Sequence, residues 1–331
     1  MKSCCFDFQL ISIHRTELMG VAILGVMIGH LMNHTIQPAL LGFLVRLVHT
    51  PGFLFLSGFG LYYSFCKDSF LPRFYAKRIS RLYIPFIIIT SPFFLYLLFT
   101  GKIPFINFLG FLTTIGYWFV GNYYAMWYVA VSMVLYMLFP LLYKVIIPQE
   151  SEDNCLITIQ RVSIIVFFLL MLFYIIDNYC HEYWKLIQLG VPKTIMFTLG
   201  ALAGHISKHN IIMSQRSLFL YFLGCSLLLI LSRVLCSYNY STFRALLGIP
   251  LACLFLEFIS RKKVTSLLRP LFFFGRYSLE LYLLHVTAYF FLAETTNLSL
   301  GFCMFLGIVF SIFACQRVHI IISQIQKHIV S

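Results

Sequence analysis

Apolar runs of about twenty residues recur from end to end of this chain, separated by short loops rich in lysine and arginine. A run of that length, wound as a helix, crosses the ~30 Å hydrocarbon core of a bilayer. Composition closes off the alternatives. Of 331 residues, 60% are hydrophobic and only 11% are charged, against ~25% charged in a soluble domain. A soluble globule could not hide that much apolar surface. Disorder and a small disulfide-rich scaffold are excluded by the same numbers. The expected fold is therefore all-α, a polytopic bundle of membrane helices forming one domain over residues 1–331.

The runs read as ten spans: Arg15–Leu31, Leu40–Phe65, Leu82–Thr100, Ala125–Ile147, a segment from residue 161 to Asp177, Val191–Ile206, Leu218–Leu235, Phe243–Ile259, Leu271–Leu292 and Leu298–Ile322. Phe105–Val120 is apolar but short and interrupted by Gly110 and Gly116, which predicts a re-entrant or interfacial segment. Residues 1–14 lack a signal-peptide pattern, so the first run is expected to persist as a helix. Lys and Arg number 24 and Asp and Glu 11, a formal charge of +13. The cations cluster at Lys67, Arg73, Lys77, Arg78 and Arg81, and again at Arg261, Lys262, Lys263 and Arg269. Ten spans with both termini cytoplasmic put both clusters inside, as the charge bias of membrane proteins requires. That bias accounts for the basic balance, and no nucleic-acid partner is expected. The ten cysteines contain no C-x-x-C, which predicts neither a zinc site nor a disulfide framework but small buried hydrophobes.

Polar groups inside such spans are costly and mark function or helix packing. Arg15, Glu17 and His30 share the first span. Glu17 and His30 lie roughly 20 Å apart along a straight helix and cannot touch. Arg15 reads either as a snorkelling end residue or as a functional cation. His34 stands one turn beyond His30, yet no third ligand accompanies the pair, and no metal is expected. His49, two residues before Pro51, sits where the ring frees backbone carbonyls mid-span, and Ser57-Gly58 offers a small face for helix packing. Ser278, Tyr282, His285 and Tyr289 follow i, i+4, i+7 and i+11, a single narrow stripe that faces the bundle interior or a cavity. Its alternative use is interhelical hydrogen bonding alone. Glu280 falls on the opposite side, with Arg276 as its expected partner. Arg78 and Arg81, at i and i+3, can grip one phosphate, with Lys77 adjacent; topology and anionic-lipid contact are the competing uses of this basic run.

Five segments, taken in order, resemble the acyltransferase-3 family of integral membrane acyltransferases: ELMGVAILGVMIGH (17–30), HTPGFLFLSGF (49–59), RFYAKRISRLYIPF (73–86), MWYVAVSMVLYMLFP (126–140) and FGRYSLELYLLH (274–285). The resemblance implies a cytoplasmic acyl-CoA donor, usually acetyl-CoA, and a hydroxyl acceptor on an envelope glycan or lipid-linked sugar, in a bacterial cytoplasmic membrane. It implicates His30 in catalysis and the R-x-x-R of Arg78 and Arg81 in holding the donor's phosphates. Where many members carry an arginine eleven residues before the histidine, this chain has Met19, and Arg15 lies one turn earlier on the same side. The expected chemistry is direct O-acetyl transfer with His30 as base, His49 or His285 assisting, and Tyr282 and Ser278 as donors to the developing oxyanion. Two other classes remain open at this point: a carrier or flippase of a lipid-linked glycan, and a non-catalytic partner in glycan export.

Overall fold

The computed structural model describes residues 5–34, 39–121, 127–147, 155–235, 242–262 and 265–330. The loop at 148–154, Lys263, Cys4 and the first two residues of the expected fourth span lie outside the described residues. Sixteen helices account for nearly all of the rest. They begin with α1 (Gln9–Ile13), α2 (Arg15–Met32), α3 (Ala39–Val48), α4 (Thr50–Lys67) and α5 (Leu71–Phe99). α6 (Phe105–Leu112), α7 (Gly116–Val120), α8 (Trp127–Ile146), α9 (Cys155–Tyr179) and α10 (His181–Ile187) follow. A 3-10 turn at Val191–Lys193 leads into α11 (Thr194–Lys208), then α12 (Gln215–Leu235) and α13 (Arg244–Arg261). The chain ends in α14 (Thr265–Arg276), α15 (Ser278–Thr295) and α16 (Leu300–Val330).

Among the described residues six helical segments, α3 and α4 counted together, are long and apolar enough to cross a membrane, or seven if the bent pair His181–Ile187 and Val191–Lys208 counts as one span. The helices at the other expected spans, α12, α13 and α15, fall below that measure. Two expected spans are broken. The second divides at His49 (φ −57°, ψ −128°), because Pro51 in the first turn of α4 has no N–H to continue the ladder from α3. The ninth divides at Tyr277 (φ −105°, ψ 20°), two residues after Gly275. The third is longer than expected. α5 starts at Leu71, with Pro72 in its first turn where proline is favoured, and absorbs the whole Arg73–Arg81 run. Its 29 residues span about 44 Å, so the basic run rides on a rigid helical extension beyond the hydrocarbon core. Residues 105–120 form two short helices that fold back at Thr114 (φ 62°), with Gly110 and Gly116 in contact.

Glycine sets the closest packing. A Cβ on Gly20 would collide with the Leu271 carbonyl and one on Gly275 with that of Thr16, so α2 and α14 touch backbone to backbone. Gly58 and Gly200 make the same reciprocal contact between α4 and α11, on the Phe197 and Phe55 carbonyls. Cys225, Cys253, Cys303 and Cys315 are buried as small apolar groups, whereas Cys5 and Cys66 are partly exposed and Cys180 is exposed. At one end of the bundle a two-stranded strap pairs β1 (Phe6–Asp7) with β2 (Ile212–Met213), antiparallel. At that same end His14 meets Glu257, and the Gln326 side chain donates to the Ser80 carbonyl at 2.8 Å. Both described ends of the chain therefore lie at the end of the bundle that carries the Arg73–Arg81 extension.

Candidate active site

The basic end of the bundle opens into a cavity of about 230 Å³. Three arginines line it: Arg15 from α2, and Arg78 and Arg81 from α5. Met19, one turn along α2 from Arg15, lines it too, so the two positions share one face. Among the described residues no acidic one does. Arg81 is exposed at the mouth, while Arg78 is 8% exposed. Arg15 donates through Nε and Nη2 to the Leu56 carbonyl, at 3.4 and 3.3 Å. Gly60 makes room for this, since a Cβ there would sit 2.6 Å from Nη2. Arg78 donates to the Ser64 hydroxyl and lies 5.2 Å from the Phe74 ring centre, and its buried Nε has no partner. A buried donor left unpaired inside a cationic cavity is set up for an incoming oxyanion.

Lys77, expected beside these arginines, does not join them. With Arg73 it pairs with Asp68, at 3.3 and 3.2 Å, and it does not line the cavity. The acid at the end of α4 draws away the two cations that face it. Glu280 also finds a different partner from the one expected. Its carboxylate meets His319 of α16 at 2.6 Å rather than Arg276, because α16 packs against the side of α15 that Glu280 occupies.

The cavity runs inward between α2, α4, α8 and α15. Ser57 and Tyr136 hydrogen bond across it at 2.8 Å, and its inner end is closed by Val26, Thr50, Phe53, Tyr128 and Tyr282. Val26 is one turn short of His30 on α2, and Tyr282 is three residues short of His285 on α15. The stripe on α15 is thus realised in full. Ser278 and Tyr282 line the cavity, His285 meets His30, and the Tyr289 ring lies 5.4 Å from that of His34. The Tyr282 ring stands edge-on to both Tyr128 (5.5 Å) and His285 (6.1 Å), between the cavity and the histidines.

The histidine pair has a defined proton order. His285 Nδ1 lies 2.7 Å from the Leu281 carbonyl oxygen, and His285 Nε2 lies 3.0 Å from His30 Nδ1. A carbonyl only accepts, so His285 Nδ1 carries the hydrogen and the neutral ring offers a lone pair at Nε2. His30 must then donate through Nδ1, which leaves the His30 Nε2 lone pair free to take a proton. This is the arrangement a general base requires, with a histidine as the orienting group. His49 stands apart. It occupies the α3–α4 break against Gly25 of α2, with Nδ1 buried and unpartnered.

Tyr128, Tyr136 and Ser64 were not singled out in the sequence. The available signal was the recurrence of Ser57 and Ser64 on one face of α4, opposite two tyrosines of α8. Among the described residues no cluster of His, Cys, Asp and Glu could hold a metal ion. A family model described as an acyltransferase domain, acyltransferase-3, matches residues 18–316. No curated protein and no solved structure matches the chain.

Proposed function

The chain belongs to the acyltransferase-3 family and is a membrane acyltransferase, and from that premise we propose that it moves an acetyl group from acetyl-CoA to a hydroxyl of an envelope or exported glycan, with His30 as general base. One observation carries this reading: a single cavity joins three arginines at one end of the bundle to the foot of the His30–His285 pair. Arg15 and His30 are separated by about 22 Å along α2, the reach of a slender arm rather than of a whole nucleotide. Arg78 and Arg81 hold the phosphates of the donor, with Arg15 deeper, and the nucleotide stays at the mouth, on the cytoplasmic side. The pantetheine arm passes Ser278 and brings the thioester to Tyr282. The acceptor hydroxyl passes its proton to His30 Nε2 as its oxygen bonds to the thioester carbonyl carbon. Tyr282 is the candidate donor to the oxyanion that develops. The C–S bond then breaks, and His30 returns the proton to the departing thiolate. Throughout, His285 holds His30 in the tautomer that leaves Nε2 unprotonated and accepts the hydrogen bond of the imidazolium that forms.

The test is release of free thiol from acetyl-CoA by protein in nanodiscs, with and without envelope glycolipid extract. Extract-dependent release that falls by about 10³-fold in His30→Ala, with donor binding retained, is expected of a general base. Absence of thiol release from folded protein with several extracts would instead favour a carrier or an export partner, neither of which cleaves the thioester.

A further inference from the structure

The far end of the site holds a second set of cations. Gly200 of α11 packs on Phe55 and Gly204 on Tyr62, so α11 runs parallel to α4. Its beginning at Lys193 therefore falls level with the beginning of α4, and Lys193 and His49 interact electrostatically. Lys193 is 9% exposed. Its ammonium lies 4.6 Å from the Trp127 ring centre and donates to the Leu189 carbonyl. Those contacts leave part of a three-donor group uncommitted, and no described carboxylate pairs with it. The described carboxylates that do form ion pairs with Lys, Arg or His (Asp68, Asp177, Glu182, Glu257, Glu280 and Glu294) engage other cations. His49 Nδ1 is likewise buried and without a partner. Lys193, Arg46, His30 and Arg244, each cationic in its charged form, act on His49.

A buried ammonium without a counter-ion is costly. A ligand that brings an oxyanion relieves that cost. The position also suits the reaction. His49 lies against Gly25, on the same helix as His30 and five residues from it, and next to Thr50 at the inner end of the arginine cavity. We propose that Lys193 and His49 form an anion subsite for the acceptor, so that the hydroxyl compound acylated here carries a carboxylate or phosphate close to the reacting hydroxyl. This rests on the acyltransferase reading above and names the acceptor's class. Two basic sites then serve two anionic substrates: the arginines take the donor and the Lys193 end takes the acceptor.

The experiment compares p-nitrophenyl β-glucuronide, p-nitrophenyl β-glucoside and glucose 1-phosphate as acceptors in nanodiscs, using radiolabelled acetyl-CoA. Each is also titrated without donor by thermal shift. In the wild type, at least one anionic sugar is expected to exceed the neutral one by tenfold or more in kcat/KM and to shift the melting midpoint alone. Lys193→Met should erase that preference through KM while leaving the neutral sugar within about twofold, and Lys193→Arg should restore it. The uronate and phosphate arms separate the two sources of the anion. Equal use and equal binding of charged and neutral sugars, or an equal loss for all three in Lys193→Met, would overturn the proposal. If no acetyl-CoA is consumed, the acyltransferase reading fails by itself. The donor-free titrations still decide the subsite: Lys193-dependent binding of an anionic sugar sustains it, and indifference to charge removes it.

Discussion

The segment formed by α3 and α4 and the helix α9 are both long apolar runs, yet they occupy opposite environments. In an eighteen-residue stretch of Leu40–Lys67 mean hydropathy is 1.6 and 56% of residues are buried; in one of Leu156–Tyr179 hydropathy is 2.4 and only 11% are buried. The more apolar segment is the one left outside. In water this order would be reversed, because burial follows hydrophobicity. In a membrane, lipid tails solvate Phe167, Phe168 and Ile164 as well as a protein core would, and nothing drives them inward. What earns a central place is a surface that lipid cannot match. α4 has it in Gly58, which admits a neighbouring backbone, and in Ser57 and Ser64, which reach polar partners across the cavity. Two of the segments that line the cavity, α2 and α3–α4, are the least hydrophobic of the six membrane-capable segments, at 1.3 and 1.6.

The comparison can be broken most severely at its glycines. Gly200→Leu should prevent assembly, because a Cβ there already collides with the Phe55 carbonyl of α4 and overpacking of this kind costs about 3 kcal/mol or more. Size-exclusion chromatography should show no monodisperse protein. Gly224→Leu on peripheral α12, where nothing lies within 4 Å, should elute as the wild type does. If both variants assemble normally, close backbone approach is not what selects the central helices.

A smaller effect is expected at the histidine pair. His285→Phe removes the acceptor that fixes the His30 tautomer and should lower kcat by about 10²-fold with KM for donor little changed. His285→Gln, whose amide oxygen can accept the His30 Nδ1 hydrogen, should recover part of that loss. Equal loss in both variants would show that packing, and not proton order, is what His285 provides. Smaller again is the effect of the cavity cations. Arg78→Ala should raise KM for acetyl-CoA by about 10- to 100-fold, the worth of a charge-assisted hydrogen bond. Lys77→Ala, which loses only a partly exposed pair with Asp68, should stay within about twofold. Similar losses in the two would show that general positive charge, not the lining of the cavity, binds the donor.

Much of this site was legible in the sequence. The i, i+4, i+7, i+11 spacing of Ser278, Tyr282, His285 and Tyr289 defined one face of a helix, and that face is the one turned toward α2. The first-helix motif placed His30 at the depth where His285 meets it. Other features were not legible because they depend on which surfaces meet. Lys77 and Arg78 stand at i−4 and i−3 from Arg81, so spacing admits either as its companion. Asp68 decides the matter by engaging Lys77 and Arg73. Glu280 had Arg276 within helical reach, yet it pairs with His319, a residue 39 positions away brought in by α16.

Sequence alone determined the helical, membrane-embedded class of this protein, its family, and the faces on which its polar residues lie, because helix periodicity and the cost of polar groups in lipid act locally along the chain. Only the tertiary structure decided which faces meet: the joining of three arginines in one cavity, the proton order of His30 and His285, and the isolation of Lys193 from every described carboxylate. Those outcomes depend on backbone approaches such as Gly58 to Phe197 and Gly20 to Leu271. Each such contact joins segments far apart in the chain, and helix periodicity carries no information about them.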